Sequence, residues 1–410
     1  MTMEAEARRL RVGAGTSAAM AGFPQRMALF YGALFLIFGI HTPFMAVWLD
    51  FKGLTAGEIA VVSAAPQFLR LAVTPAVGLL ADRHANHRRL IIVLAWLSLA
   101  VCGAMVASSG FLALLVLSTL LQVLISTVMP LTETVAVSGA RSGGDYGRIR
   151  LWGSLTFIAA SIAAGPLIDL GGAGVIGWLL IISLAATVAA AELLPRPDGS
   201  KQVPAAQQSP AGGGEAWRLA RSPVFLLFLF ATSAGMGSHA MLHTYGALHW
   251  RGLGISTTSV SVLWGIGIVC EIALFAWSGW FLRLVGVTGA LIIGLAASTL
   301  RWALLGLDPP LWVLVVLAPL HALSYAATHL GAIHFIGRAV PVATAGTAQA
   351  LYSAIAAGVG NGVMTLALGA IYGPFGGGIG YLTMAMVAAL GLAATIMIAR
   401  RWDDCLLWKA

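Results

Sequence analysis

Charge is what this 410-residue chain has least of: Asp, Glu, Lys and Arg make up 9% of it, where a soluble domain carries about 25%. With 59% of its residues hydrophobic, a water-soluble fold would expose large apolar patches and aggregate. Composition therefore excludes an ordinary soluble domain. Cysteine is scarce as well: Cys102, Cys270 and Cys405 stand far apart with no ligand spacing, which leaves neither a disulfide framework nor a zinc site. The opening residues lack a short apolar run ahead of a cleavage site, so they read as a cytoplasmic tail before an uncleaved first span. No nucleophile–base pair or metal set emerges, so neither an enzyme nor a cofactor is expected. The formal charge of +8 is spread through short gaps between apolar runs, which argues against nucleic acid as a partner.

What the chain does have is long apolar runs, and a helix needs about 20 such residues to cross the hydrocarbon core. Qualifying segments run over 27–49, 57–80, 90–109, 111–138, 150–169 and 174–194, and again over 223–249, 257–282, 288–307, 311–336, 347–372 and 378–399. The Pro-, Gly-, Gln- and Ser-rich stretch between the two sets cannot build a core and reads as a flexible linker. The expected fold is an all-α membrane protein of twelve transmembrane helices in two six-helix bundles, with both termini cytoplasmic. Its boundaries fall at a tail 1–25, a bundle 26–194, a linker 195–222, a bundle 223–399 and a tail 400–410. Orientation follows from the basic residues. Of the 23 Lys and Arg, only Lys52 and Arg251 fall outside, and Arg70 and Arg301 lie within spans; the rest are cytoplasmic, as the positive-inside rule requires. Weak internal symmetry accompanies this: Arg70 precedes Gly78 by the same spacing as Glu271 precedes Gly279, as in transporters built from two parallel repeats.

Arg70, Glu133, Glu271 and Arg301 lie well inside apolar helices. Each costs about 2.5–3.5 kcal/mol at the bilayer centre on insertion scales, so they are expected to face one another or a wet cavity. Each is open to two readings: a structural ion pair between helices, or a place on a solute or proton pathway. Helical spacing gathers polar side chains into stripes: Ser63, Gln67, Arg70 and Thr74; Gln122, Ser126 and Glu133; Thr232, Met236, His239 and His243; His321, Tyr325, Thr328 and His329. A single stripe is often packing between helices. Four of them predict a central water-accessible space.

Several motifs resemble a known group. GLLADRHANHRR, from Gly78 to Arg89, resembles the loop motif of the major facilitator superfamily, in which Asp and Arg latch helix ends; Gly78, Asp82 and Arg83 take those places. PLTE ending at Glu133, DYGRIRLWGS from Asp145, GSHA, LHWRGLG, TLRW, LHALSYAATH and GTAQALYSAIAAG are similar to the phenylpropionate permease family. That family is related to oligosaccharide–proton symporters such as lactose permease, and the likeness runs from about residue 28 to 390 outside the linker. The resemblance implies that Glu133 pairs with Arg150 in the solute site and that Glu271, Arg301 and His321 belong to a proton-coupling network. Two departures stand out. The sugar symporters place a proton-carrying Glu where this chain has Ser324, and their stacking tryptophan is replaced by Phe157.

The resulting expectation is proton-coupled uptake of a small organic solute, an aromatic or other monocarboxylate, by alternating access in a cell inner membrane. Arg70, Glu133, Arg150, Phe157, His239 and Tyr325 are the candidate solute contacts. Glu271, with His321 as the second candidate, carries the proton. The excess of Arg70, Arg150 and Arg301 over two glutamates favours an anion. Alternatives are a proton-coupled sugar or nucleoside symporter and a proton-exchanging exporter of amphipathic compounds. Expected partners are the solute, protons and the bilayer, with the chain acting as a monomer.

Overall fold

The computed structural model describes residues 22–84, 87–140, 146–194 and 213–408; of 78–84, 138–140, 213–216, 343 and 357 it describes the backbone alone. Among these residues the chain is helical, without a strand. Eleven helices are long and apolar enough to cross a membrane. They are α1 (Phe23–Phe51), α2 (Ala56–His84), α3 (His87–Ala107), α4 (Phe111–Ala140), α5 (Tyr146–Gly171) and α6 (Val175–Glu192). The others are α7 (Pro223–Gly252), α8 (Thr257–Ala276), α9 (Ser278–Leu305), α10 (Leu311–Ala339) and α11 (Thr344–Arg401).

The sequence reading separates the last segment into two spans, 347–372 and 378–399. Its 58 residues run on through the expected gap, but the backbone leaves helical geometry at Gly376, at φ 76° and ψ 178°. Only glycine adopts that conformation readily. Gly286 makes the same break inside α9, at φ 72° and ψ 178°, and the expected eighth span, 257–282, ends early at Ala276.

The helices α1 to α6 pack on one another chiefly through α1–α5, α1–α6, α3–α6, α2–α4 and α3–α4, while α7 to α11 pack through α7–α11, α9–α11, α9–α10 and α8–α10. Contact between the two sets runs mainly through α2–α11 and α5–α8. Small residues make both crossings close, because a Cβ at Gly369 would collide with Ala60 and one at Gly165 with Ser261.

Basic side chains close helix ends. Lys52 Nζ donates to the carbonyls of Val106 and Ser108 at 2.7 and 2.9 Å, and Arg88 donates to those of Leu194 and Glu192, each at 2.8 Å. Both satisfy carbonyls that a helix C-terminus leaves unpaired. The expected linker is more structured than its composition suggests at its far end. Gly213–Arg221 forms a nine-residue helix with Leu219 fully buried, and Ser222 then caps α7 by accepting from Phe225 N at 3.3 Å. The remainder of that linker and the tail up to residue 21 lie outside the described residues. At the other terminus Trp402 packs on Phe335, and Leu407 N donates to Ala339 O at 2.8 Å, so this tail folds back on the helices.

Candidate solute and proton site

α7 and α10 carry the same local irregularity. Each leaves α-helical geometry for a π-helical stretch, Leu242–Gly246 in α7 and Ala322–Ala327 in α10. Such bulges re-aim side chains and recur at functional sites. Here they place His239 and Ser324 against each other, with His239 Nε2 3.3 Å from Ser324 Oγ.

Around that contact four helices form one hydrogen-bonded chain. Arg301 Nη1 of α9 lies 3.1 Å from His321 Nδ1 and 3.3 Å from Ser324 Oγ, both on α10. His321 Nε2 lies 3.1 Å from Glu271 Oε2 of α8. At the other end His239 Nδ1 lies 3.0 Å from the Gly235 carbonyl of α7. The proton positions follow from chemistry. A guanidinium only donates, so His321 Nδ1 accepts and its Nε2–H donates to Glu271. His321 is thus a neutral imidazole wedged between a cation and a carboxylate. His239 donates from Nδ1 to Gly235 O, which leaves Nε2 to accept from the Ser324 hydroxyl. Arg301 is the source from which donation runs both ways. A second proton on His321 would set two donors against each other.

Aromatic rings wall the chain. His321 stacks on Tyr325 at 5.5 Å and 11°, His239 meets Trp302 edge-on at 4.9 Å, and Trp302 Nε1 donates to Ser238 Oγ at 3.0 Å. Tyr325 lies within electrostatic reach of both Glu271 and Arg70. This brings Arg70 of α2 across from the first set of helices.

A second cluster belongs to α1, α4 and α5. Arg150 Nε lies 3.5 Å from Glu133 Oε1, Tyr146 donates to Glu133 Oε2, and the Arg150 guanidinium sits over the Phe35 ring at 4.4 Å and Tyr31 at 5.8 Å. The Arg150 and Glu133 side chains keep 33% and 31% of their surface exposed, so they face accessible space. Arg301 and His321, at 5% each, are sunk in protein.

The structure therefore joins His239, Glu271, Arg301, His321 and Tyr325 in one network and pairs Glu133 with Arg150. Phe157 enters neither: it is half-buried on α5, its carbonyl is packed against Gly39, and its ring stacks on no described aromatic. Gly78, Asp82 and Arg83, expected to form a latch, fall on the closing turns of α2, which is helical to His84 where the sequence reads a loop. Their side chains lie outside the described residues. Parts of the stripes are packing only, since Thr232 and Ser126 bond carbonyls of their own helices. Sequence reasoning missed Tyr146, Tyr31 and Phe35. Tyr146 stands one helical turn before Arg150, and Tyr31 and Phe35 are one turn apart on α1, a spacing that signals a shared face.

Asp169 was missed as well. Located in the last turn of α5, it accepts from Thr257 N and Thr258 N of α8 at 2.8 Å each and from Thr258 Oγ at 2.6 Å. With Ser256 accepting from Ser259 N at 3.1 Å, the open amides of the first turn of α8 are satisfied partly from the other set of helices. Tyr245 OH of α7 donates to Ala56 O of α2 at 2.5 Å on the same side, so the two sets are tied together at the end away from the Gly213–Arg221 helix.

Buried charge in a shared polar network, carried by many membrane-capable helices, defines a membrane transporter rather than an enzyme. Residues 25–383 match the MFS_1 like family, and the chain belongs to that family of major facilitator permeases. It is 31% identical over 368 residues to the "Probable 3-phenylpropionic acid transporter" of Escherichia coli (strain K12), a match covering 88% of this chain and 94% of that protein. It is 29% identical over 390 residues to the maltose permease of Geobacillus stearothermophilus, covering 94% and 96%. Among solved structures, a nucleoside transporter superposes with a TM-score of 0.77 at 16% identity, over 92% of this chain and 99% of that one. The last likeness speaks for the fold alone.

Proposed function

We propose that this permease takes up a small monocarboxylate, aromatic in its body, together with protons. The observation that carries the reading is the Glu271–His321–Arg301 chain, in which one carboxylate and one guanidinium are held apart by a neutral imidazole. With Glu271 ionised, the network is balanced. With Glu271 protonated, Arg301 keeps its charge and has no counter-ion in the chain, so an anion is favoured. Each binding event then promotes the other, which is the thermodynamic content of coupling. The relative named for 3-phenylpropionic acid supports an arylalkanoate as the solute. In this reading Arg70, Glu133, Arg150, His239 and Tyr325 face the solute, Phe157 lines its path, and the segment Gly78, Asp82 and Arg83 latches the cytoplasmic end.

Twelve spans follow when α11 is counted as two at Gly376, because 58 residues of helix extend about 87 Å, against a hydrocarbon core of about 30 Å. The two crossing contacts then become equivalent, the second helix meeting the eleventh as the eighth meets the fifth. That exchange symmetry supports two six-helix bundles, 26–194 and 223–399, rocking about the site between them. Both termini are cytoplasmic in this arrangement, the protein is a monomer of the inner membrane, and Asp169 closes the outer side.

The test is uptake of a radiolabelled panel of aromatic acids, a disaccharide and a nucleoside into proteoliposomes, with and without an imposed proton gradient. Accumulation of an arylalkanoate only when the inside is alkaline is the expected result. Equal uptake under both conditions, or uptake confined to the sugar or the nucleoside, overturns the reading.

A further inference from the structure

The Gly213–Arg221 helix has two unlike faces. On one, Leu219 is fully buried in an apolar cluster with Phe225 and Trp402, and the helix packs on the opening turns of α7 and α11. On the other, Trp217 keeps 57% of its surface, and Arg221, one turn on, sets its guanidinium over that ring at 4.5 Å. Arg218 is exposed beside them. Neither arginine has a hydrogen-bond or ion-pair partner among the described residues. The acids of the nearby tail are engaged elsewhere, Asp404 with Arg338 and Asp403 with the Cys405 thiol. Only Ser222 separates this helix from Pro223, where α7 begins, so the exposed face sits at the level where a membrane span starts. Tryptophan and arginine on an amphipathic helix at that level meet lipid headgroups.

We infer that this face binds the headgroup of an anionic phospholipid, its phosphate taken by Arg218 and Arg221 and Trp217 set at headgroup level. Guanidinium forks match phosphate oxygens, and the stacked ring holds one fork in place. The helix stays net positive with its own Glu215 counted. That favours a lipid with net negative charge over phosphatidylcholine, whose headgroup brings its own cation. Charge also argues against the chain covering this face itself. Residues 1–21 carry Glu4 and Glu6 against Arg8, Arg9 and Arg11, and residues 195–212 carry Asp198 against Arg196 and Lys201. Both segments are net basic, so neither complements it.

The test uses purified full-length protein in detergent, its native cysteines replaced and one fluorophore placed at Ala220, an exposed position on this helix. It is titrated with dioctanoyl phosphatidylglycerol, with dioctanoyl phosphatidylcholine and with inorganic phosphate. Phosphatidylglycerol should bind most tightly. Each basic residue near an anionic lipid surface contributes about fivefold, reduced by salt screening, so Arg218→Gln/Arg221→Gln should weaken phosphatidylglycerol binding about tenfold and leave phosphatidylcholine binding nearly unchanged. Arg26→Gln/Arg283→Gln removes the same charge from exposed positions on other helices and should leave phosphatidylglycerol affinity at the parent value. Equal affinity of the parent for the two lipids overturns the proposal, as do equal losses in the two double variants. Inorganic phosphate binding as tightly as phosphatidylglycerol also overturns it, because the site would then take a free anion. Should Arg218→Gln/Arg221→Gln not fold, the parent decides alone. Raising the salt should weaken phosphatidylglycerol binding and spare phosphatidylcholine, and a phosphatidylglycerol affinity indifferent to salt overturns the assignment.

Discussion

Replacing Asp169 with asparagine should loosen the closure at the end away from the Gly213–Arg221 helix without touching the polar network. The carboxylate receives three bonds of 2.6 to 2.8 Å from α8 and places a negative charge at a helix N-terminus, where it is favoured. An amide offers one acceptor oxygen instead of two and no charge. Either orientation therefore loses at least one backbone or hydroxyl bond together with the electrostatic term. Bonds to charged groups contribute about 1.5–3 kcal/mol when buried. Asp169 is exposed, and screening puts the total near 2 kcal/mol. That amounts to about a 30-fold shift in the equilibrium between the closed and open forms of this end. Spin labels replacing Leu170 and Leu253, which are 87% and 46% exposed at this end, report the separation in a chain whose native cysteines have been replaced. A longer-distance population should grow in Asp169→Asn. An unchanged distance distribution would refute the reasoning that this carboxylate holds the two sets of helices together.

Three further substitutions probe other parts of the account. Arg150→Lys removes a planar cation from the Phe35 face and its contact with Glu133, so the half-saturation concentration for uptake should rise about tenfold, since lysine does not replace a stacked, forked donor; an unchanged value would remove Arg150 from the solute site. Ser324→Ala takes away the hydroxyl that links Arg301 and His239. These bonds are long, so the loss should be about 1–2 kcal/mol, seen as a melting temperature lowered by a few degrees; an unchanged melt would show that the link does not organise the network. Gly369→Val sets a branched side chain against Ala60 and should open the same end in the same distance measurement; a native distribution would mean that this crossing yields without separating.

Much of this was legible in the sequence because the bilayer is a severe solvent. A charged residue in an apolar helix needs a reason, and that premise alone singled out Glu271 and Arg301, which the structure joins through His321. Tryptophan proved less legible. Trp48, Trp250 and Trp312 all fall near helix ends, where interfacial anchoring is the default. Trp312 is 70% exposed, but Trp48 and Trp250 are 1% and 5% exposed, packed inside because neighbouring helices reach that depth. Ser324 was visible only as a departure from relatives. Its bond to His239 depends on π-helical turns in α7 and α10, and periodicity taken at 3.6 residues per turn cannot reveal these. Asp169 was unreadable for another reason: its partners lie 88 and 89 residues away, and a cap supplied by a different helix leaves no local pattern.

The most direct test of proton coupling through Glu271 is to compare net accumulation with exchange in Glu271→Gln. Proteoliposomes holding this variant are given an inward proton gradient in one assay, and in another are preloaded with unlabelled 3-phenylpropionate and offered labelled solute with no gradient. The account predicts that accumulation is lost while exchange persists, because the glutamine keeps a neutral acceptor beside His321 but releases no proton. Full accumulation by Glu271→Gln would contradict it.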